Sequence, residues 1–216
     1  MATKQQAASA PGKRQAAYTA RNRANLIRFA YEVLAEIGPT ATVEQLATHA
    51  QVSPTTIYKY FANKEVLFAE ALAQFFEEFI QWSQQTESPG EPLERVIDTG
   101  RKLFRIKQHN PILAQVLSNV LKYPQLAINA VEAPAVKVFK SLAKTGAVEN
   151  EHVKERLILW RYAMAGIMTS LYVLEEISAE EADVAMGICL SVWGISEARG
   201  KEITSRKLVF PLHAMP

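Results

Sequence analysis

A single cysteine, Cys189, stands in the 216 residues, so no disulfide can form within the chain. That excludes the stapled scaffold of small secreted domains and fits a reducing compartment. No apolar run approaches the roughly 20 residues that a bilayer-spanning helix needs, so no membrane association is expected. The first residues lack the apolar core of a secretory signal, and a cytoplasmic protein is expected. His49, His109, His152 and His213 lie far apart, and neither a C-x-x-C nor an H-E-x-x-H spacing occurs, so no metal centre is expected. A Gly-rich phosphate loop and a G-x-S-x-G elbow are also missing. No catalytic constellation or cofactor motif is left, and the expectation is a protein that is not an enzyme. Strand-like alternation and internal repeats do not stand out either, which points to an all-α fold.

What is present is apolar content of 49%, enough for a sizeable core, and an uneven charge. Residues 1–68 hold eight Lys/Arg and four Asp/Glu, a net +4, whereas residues 69–216 hold sixteen and eighteen, a net −2. No acid precedes Glu32, while Lys4, Lys13, Arg14, Arg21, Arg23 and Arg28 all do. A basic arm attracts phosphate, although such an arm can also serve solubility alone. Residues 1–15 hold too little apolar surface to offset ordering entropy, so a disordered arm over residues 1–18 is expected.

Helical spacing then begins. Leu26, Phe29, Ala30, Val33, Leu34 and Ile37 form one stripe of a helix from Thr19 or Ala20, ended by Gly38 and Pro39. From Thr42 to Lys64 the string TVEQLATHAQVSPTTIYKYFANK reads as two short helices joined by a tight turn. Thr42 caps the first, whose apolar face is Val43, Leu46 and Ala47. Ser53 caps the second, with Pro54 at the first helical position, where a missing N–H costs nothing. Ile57 and Phe61, four apart, face inward and leave Thr55, Thr56, Tyr58, Lys59 and Tyr60 facing mostly outward. Hydroxyls, one Lys and two Tyr suit phosphate oxygens and base edges. The pair reads as a helix-turn-helix with Pro54–Phe61 as the recognition helix.

The segment from Arg23 to Leu72 resembles the N-terminal domain of the tetracycline-repressor (TetR) family of transcription regulators. The resemblance is carried by R-x-x-L-I-x-F-A at Arg23–Ala30, by Gly38 and by T-V-x-x-L-A at Thr42–Ala47. The string V-S-P-T-T-I-Y-K-Y-F-A-N-K-E-V-L-F at Val52–Phe68 completes it. The family often has glycine between the two helices, favoured because such a turn commonly needs positive φ; this chain has Gln51. The resemblance implies that Thr42, Ser53, Tyr58 and Lys64 hold phosphates and that Thr55, Thr56, Lys59 and Tyr60 face the major groove. Lys59 is the charged reader, suited to guanine. One of the two tyrosines is expected to pack against the first helix instead, since Tyr buries its ring and keeps its hydroxyl wet.

Asn63 caps a helix from Lys64 to about Gln84, with Val66, Leu67, Ala71, Phe75, Phe79 and Trp82 as apolar positions. Its length lets it leave the head and enter a second domain, and the resemblance makes it the link through which ligand state moves the head. Turn chemistry interrupts at Glu87–Pro92. Further helices are expected over Leu93–His109, Ile112–Leu121, Gln125–Ala143 (bent near Pro134), Glu151–Ile177 and Glu180–Arg199. Trp160–Leu174 and Val184–Ile195 are apolar almost all round, so they need burial on more than one side. Gly166, Ser170, Ala185, Gly187, Ser191 and Gly194 permit close approach, and an isologous homodimer through these last two helices is expected, as the resemblance also implies.

The domain reading is residues 19–64 as the DNA-binding unit, 65–202 as a ligand-binding and dimerisation unit, and 203–216 as a tail. Phe75, Phe79, Trp82, Leu103, Phe104, Val116, Leu117, Val120, Trp160, Met164 and Met168 come from four helices and are candidate walls of an effector pocket. Periodicity does not distinguish such a pocket from solid core. Tyr162, Thr169, Tyr172 and Asn119 are candidate polar anchors, and an apolar or aromatic effector is expected. Double-stranded operator DNA is the expected macromolecular partner. The competing class is a helical small-molecule carrier or enzyme whose helix-turn-helix is only structural.

Overall fold

The computed structural model describes residues 11–86, 90–213 and 215, and among these every regular element is helical. The helices are α1 (Pro11–Glu36), α2 (Val43–His49), α3 (Pro54–Tyr60), α4 (Lys64–Ser83) and α5 (Pro92–Phe104), followed by α6 (Pro111–Val120), α7 (Pro124–Lys144), α8 (Val153–Tyr172), α9 (Ala179–Cys189) and α10 (Glu197–Thr204). Short 3-10 turns at Ile106–Gln108 and Leu190–Trp193 follow α5 and α9. Among the described residues no helix is long and apolar enough to cross a membrane.

The first helix starts at Pro11, not Thr19, so residues 11–18 of the expected disordered arm are helical. Gln, Ala and Arg are good helix formers, and α1 extends a turn that its own apolar stripe has already nucleated. The rest of that arm, residues 1–10, lies outside the described residues. So do residues 87–89 of the expected turn.

The stripe of α1 is buried at Leu26, Ala30, Val33 and Leu34, while Ile37 is largely exposed beyond its end. It packs against α4 and α6. The helix ends where Ile37 and Gly38 both donate their N–H to the Val33 carbonyl, with Gly38 at φ +90. Glycine reaches that backbone region at no steric cost. Caps then appear where the sequence placed them. Thr42 forms a reciprocal box with Gln45, Ser53 accepts from Thr56 N–H, and Asn63 accepts from Val66 N–H. Gln51 sits at φ +54, so the turn between α2 and α3 does need the left-handed conformation that glycine supplies elsewhere.

Beyond the head, α4 buries Leu67, Ala71, Phe75, Phe79 and Trp82 in one core with α5, α6, α7 and α8. Each fully buried Leu or Phe among them contributes about 1.5–3 kcal/mol. The expected helix over Leu93–His109 closes early, at Phe104. That over Glu180–Arg199 is also broken, because Gly194 at φ +76 reverses the chain after Trp193 and α10 starts anew under the Ser196 cap. Gly187 packs within the chain: a Cβ on Gly200 of α10 would lie 2.4 Å from the Gly187 carbonyl oxygen. The close approach that these small residues allow is therefore partly spent on α9 and α10 of one chain.

The tail returns over the body. His109 stacks on Phe210 with ring centres 4.3 Å apart, Trp82 donates its indole N–H to the His213 carbonyl at 2.9 Å, and Met215 is buried.

Two stability outcomes follow from the backbone. Gln51→Gly relieves left-handed strain and raises stability by about 1 kcal/mol, a shift of roughly 2–4 °C in thermal midpoint. Gly200→Ala forces apart α9 and α10 and lowers stability by roughly 1–3 kcal/mol. Both are read by thermal denaturation followed by circular dichroism; an unchanged midpoint for Gly200→Ala contradicts the close crossing.

Candidate nucleic-acid interface

Seven residues make α3, and only Ile57 of them is buried. A helix so short is unstable alone, so its position comes from Ile57, the adjoining buried Phe61 and its cap. This burial turns Thr55, Tyr58 and Lys59 outward, all exposed, with Thr56 half-buried. Tyr58 is 55% exposed. Tyr60 behaves differently. It is half-buried, and its hydroxyl accepts from the Asn22 amide of α1 at 3.2 Å. One of the two tyrosines thus packs on the first helix.

The caps differ in what they have to spare. Thr42 Oγ1 accepts from Gln45 N–H at 3.2 Å, and its hydroxyl donates to the exposed Glu44 carboxylate beside it. Ser53 Oγ accepts from Thr56 N–H at 3.3 Å and lies 2.9 Å from Thr56 Oγ1. Two hydroxyls sharing one bond leave one proton to donate outward. Lys64 Nζ donates to the Pro39 and Ala41 carbonyls at 3.3 and 2.9 Å, tying α4 to the turn after α1. An ammonium has three donors, so one remains.

Arg23 of α1 and His49 of α2 are both held by carboxylates. Arg23 pairs with Glu70 of α4 and lies 4.8 Å over the Phe61 ring, a structural clamp between the first helix and the end of the recognition unit. His49 closes the back of α2, with Nε2 2.9 Å from Glu32 Oε2 and Nδ1 3.7 Å from Glu36 Oε2.

The candidate effector residues are distributed through the core, and Phe75, Phe104 and Trp160 line three different clefts. Phe75 lines a cleft between α1, α4 and α6; Phe104 lines one between α5, α6 and α8; Trp160 lines one between α7 and α8. Phe79, Trp82, Val116, Leu117, Val120 and Met168 are buried in the common core, and Leu103 and Met164 pack against it. Helical periodicity marks inward faces, and filled and open inward faces have the same period. The polar anchors are mostly committed elsewhere. Asn119 donates to the Leu34 and Ala35 carbonyls at 3.1 and 2.9 Å, and Tyr172 donates to the Leu103 carbonyl at 2.7 Å. Tyr162 is exposed on the outer side of α8, and Thr169 is half-buried.

The sequence reading missed a buried ionic cluster beneath α9. Arg105 grips Asp183 with two bonds of 3.1 and 2.7 Å, and Arg101 bridges Asp98 and Asp183 at 3.1 Å each. Burial pushes the Asp98 carboxyl above its ordinary range, against the pull of Arg101. The available signals were Asp183, a lone acid entering an apolar run, and charges spaced three and four apart on α5.

No curated protein matches the chain. Residues 26–71 match the sequence model of bacterial regulatory proteins of the tetR family. RolR in complex with resorcinol superimposes with a TM-score of 0.68 at 19% identity, covering 90% of this chain and 98% of that one. A tetR-family regulator from Syntrophomonas wolfei gives 0.56 at 18% identity, covering 88% and 97%. One from Streptomyces coelicolor gives 0.54 at 17%, covering 92% and 99%. The matched residues hold α2, α3, the end of α1 and the start of α4, so the capped pair is the helix-turn-helix of a DNA-binding transcriptional regulator. The chain thus carries the N-terminal domain of the tetR family of bacterial regulatory proteins, on an all-helical fold shared along its length with solved structures of that kind.

Proposed function

We propose that the protein is a ligand-responsive repressor that binds a two-fold operator as a homodimer. The observation that carries this reading is the outer face of α3: Thr55, Tyr58 and Lys59 exposed together on a helix that Ser53 caps, following the Thr42-capped α2. Thr42, Ser53, Tyr58 and Lys64 hold phosphates through hydroxyl and ammonium donors beside helix N-termini. Thr55, Thr56, Lys59 and Tyr60 read base edges, with Lys59 suited to guanine. The unit spans residues 19–64, and residues 65–202 bind the effector and dimerise.

Dimerisation through α8 and α9 is supported by apolar surface that a monomer leaves wet. Leu159 and Tyr162 on α8 are 59% and 51% exposed, and Val184 and Ile188 on α9 are 62% and 59% exposed. Gly166 lies beside them with nothing within 4 Å of a Cβ built on it, which leaves room for a partner helix. Contiguous exposed apolar residues of this kind mark interaction surfaces. The effector is a small apolar or aromatic molecule taken up among the core side chains of α4, α5, α6 and α8. The RolR complex with resorcinol supports a small aromatic ligand on this fold. Binding favours a dimer whose heads are wrongly spaced for adjacent grooves, through differential affinity for the two states.

Selection of duplexes from a random pool with the purified protein is expected to enrich a two-fold motif, its half-sites about 34–36 Å apart. No enrichment, together with salt-independent affinity, overturns DNA binding and favours a helical carrier or enzyme. On the enriched duplex, Lys59→Ala relaxes preference at one base position. Tyr58→Phe and Lys64→Ala weaken all duplexes alike, the Lys change lowering the salt slope by about one. A Lys64→Ala protein with unchanged affinity and slope removes that phosphate contact. For the interface, Leu159→Glu combined with Val184→Glu yields a monomer in sedimentation; a persistent dimer assigns the interface elsewhere.

A further inference from the structure

The cations carried by α5 and the residue after it fall into two groups. Arg101 and Arg105 each meet carboxylates, Asp98, Asp183 and Glu180. Lys102 does not. It is 1% exposed, and its ammonium donates to the Ser83 carbonyl at 2.6 Å and the Thr86 hydroxyl at 2.9 Å. Arg95, one face over, donates to the Gly90 carbonyl at 2.5 Å. Among the described residues neither cation has a carboxylate within ion-pair distance.

Both line one cleft of about 760 Å³ between the end of α4, α5 and α7. The hydroxyl residues Ser83, Thr86, Thr99 and Ser141 line it too, and among the described residues none that lines it is acidic. Its apolar wall is Val96, Val138 and Leu142. A buried charge is costly unless an opposite charge answers it. Burial pushes the Lys102 ammonium below its ordinary range, with Asp98 one turn away pulling the other way while bonded to Arg101.

We propose that this cleft binds an organic carboxylate, with Lys102 and Arg95 on its oxygens and the apolar wall against its stem. Each cation can take one oxygen of a carboxylate, and the apolar wall calls for a hydrocarbon part that inorganic phosphate lacks. The site is separate from the effector residues above, none of which lines it.

The test uses the full chain without DNA, so its failure is distinct from failure of the operator reading. Benzoate, octanoate and their neutral amides are titrated by calorimetry, with inorganic phosphate as a further probe. At least one acid binds tenfold or more tighter than its amide, and phosphate binds more weakly than that acid. Lys102→Met and Arg95→Gln each lose the preference while keeping the helical circular dichroism spectrum. Lys102→Met keeps the length of the side chain and removes a buried charge, and Arg95 is exposed, so at least one variant stays folded. If neither acid outbinds its amide, or if the preference survives in both variants, the site is wrong. If phosphate binds as tightly as the acids, the assignment to a carboxylate with a stem is overturned.

Discussion

The turn that sets the head on the body depends on a side chain outside the head. The last carbonyls of a helix have no partner within it. At the end of α1 those of Leu34 and Ala35 are answered by the Asn119 amide of α6. Gly38 makes the fit possible, since a Cβ there would lie 3.3 Å from that of Asn119, and its φ of +90 suits glycine. The turn after it supplies the Pro39 and Ala41 carbonyls to Lys64 at the start of α4. Thus α1, α4 and α6 meet around one reversal of the chain. A displacement of α6 against α4 cannot leave the end of α1 unmoved without breaking part-buried bonds, which are costly to leave unmade. The body therefore reaches the head by two routes, the continuous α4 and the Asn119 amide.

The short helix α3 illustrates the same dependence on neighbours. At seven residues, α3 gains little from its own ladder, and one buried isoleucine anchors it. The remaining order comes from outside. Arg23 sits over Phe61, Asn22 donates to Tyr60, and Ser53 closes the first turn. A face built this way can present exposed hydroxyls and a lysine without needing any of them for stability. Surface residues free of structural duty are the ones that can be spent on DNA.

Local chemistry explains which parts of the fold could be read from the sequence. Thr42, Ser53 with Pro54, and Asn63 are helix starts whose partners lie three residues away, so a short string contains the whole interaction. The resemblance covered the same string. Gln51 shows the limit: the string gives the residue but not the φ of +54 that the turn imposes on it. The break in the last predicted helix is concealed because Val184–Ile195 is apolar almost all round, and the reversal rests on one glycine conformation. The pocket was least legible. Whether Phe79 or Met168 faces another side chain or a void is decided by atoms from other helices, and no periodicity encodes that. Asn119 and Tyr172 were read as anchors for a ligand; both bond to backbone carbonyls far along the chain, partners that only the fold brings near.

The ionic cluster under α9 connects the core to the outer apolar face. Asp183 points inward to Arg101 and Arg105, and the next residue, Val184, points out and is 62% exposed. On a helix, neighbours in sequence diverge by about 100°, so fixing one side chain fixes the other. A bidentate arginine fork tolerates little rotation. Replaced by well-packed apolar side chains, such a cluster often loses no stability, so its contribution lies elsewhere. Apolar contacts are non-directional and would let α9 roll against α5. The fork does not. It sets the rotation at which Val184 and Ile188 face outward beside Leu159 and Tyr162, and so the geometry of the surface they share is fixed by charges buried behind it.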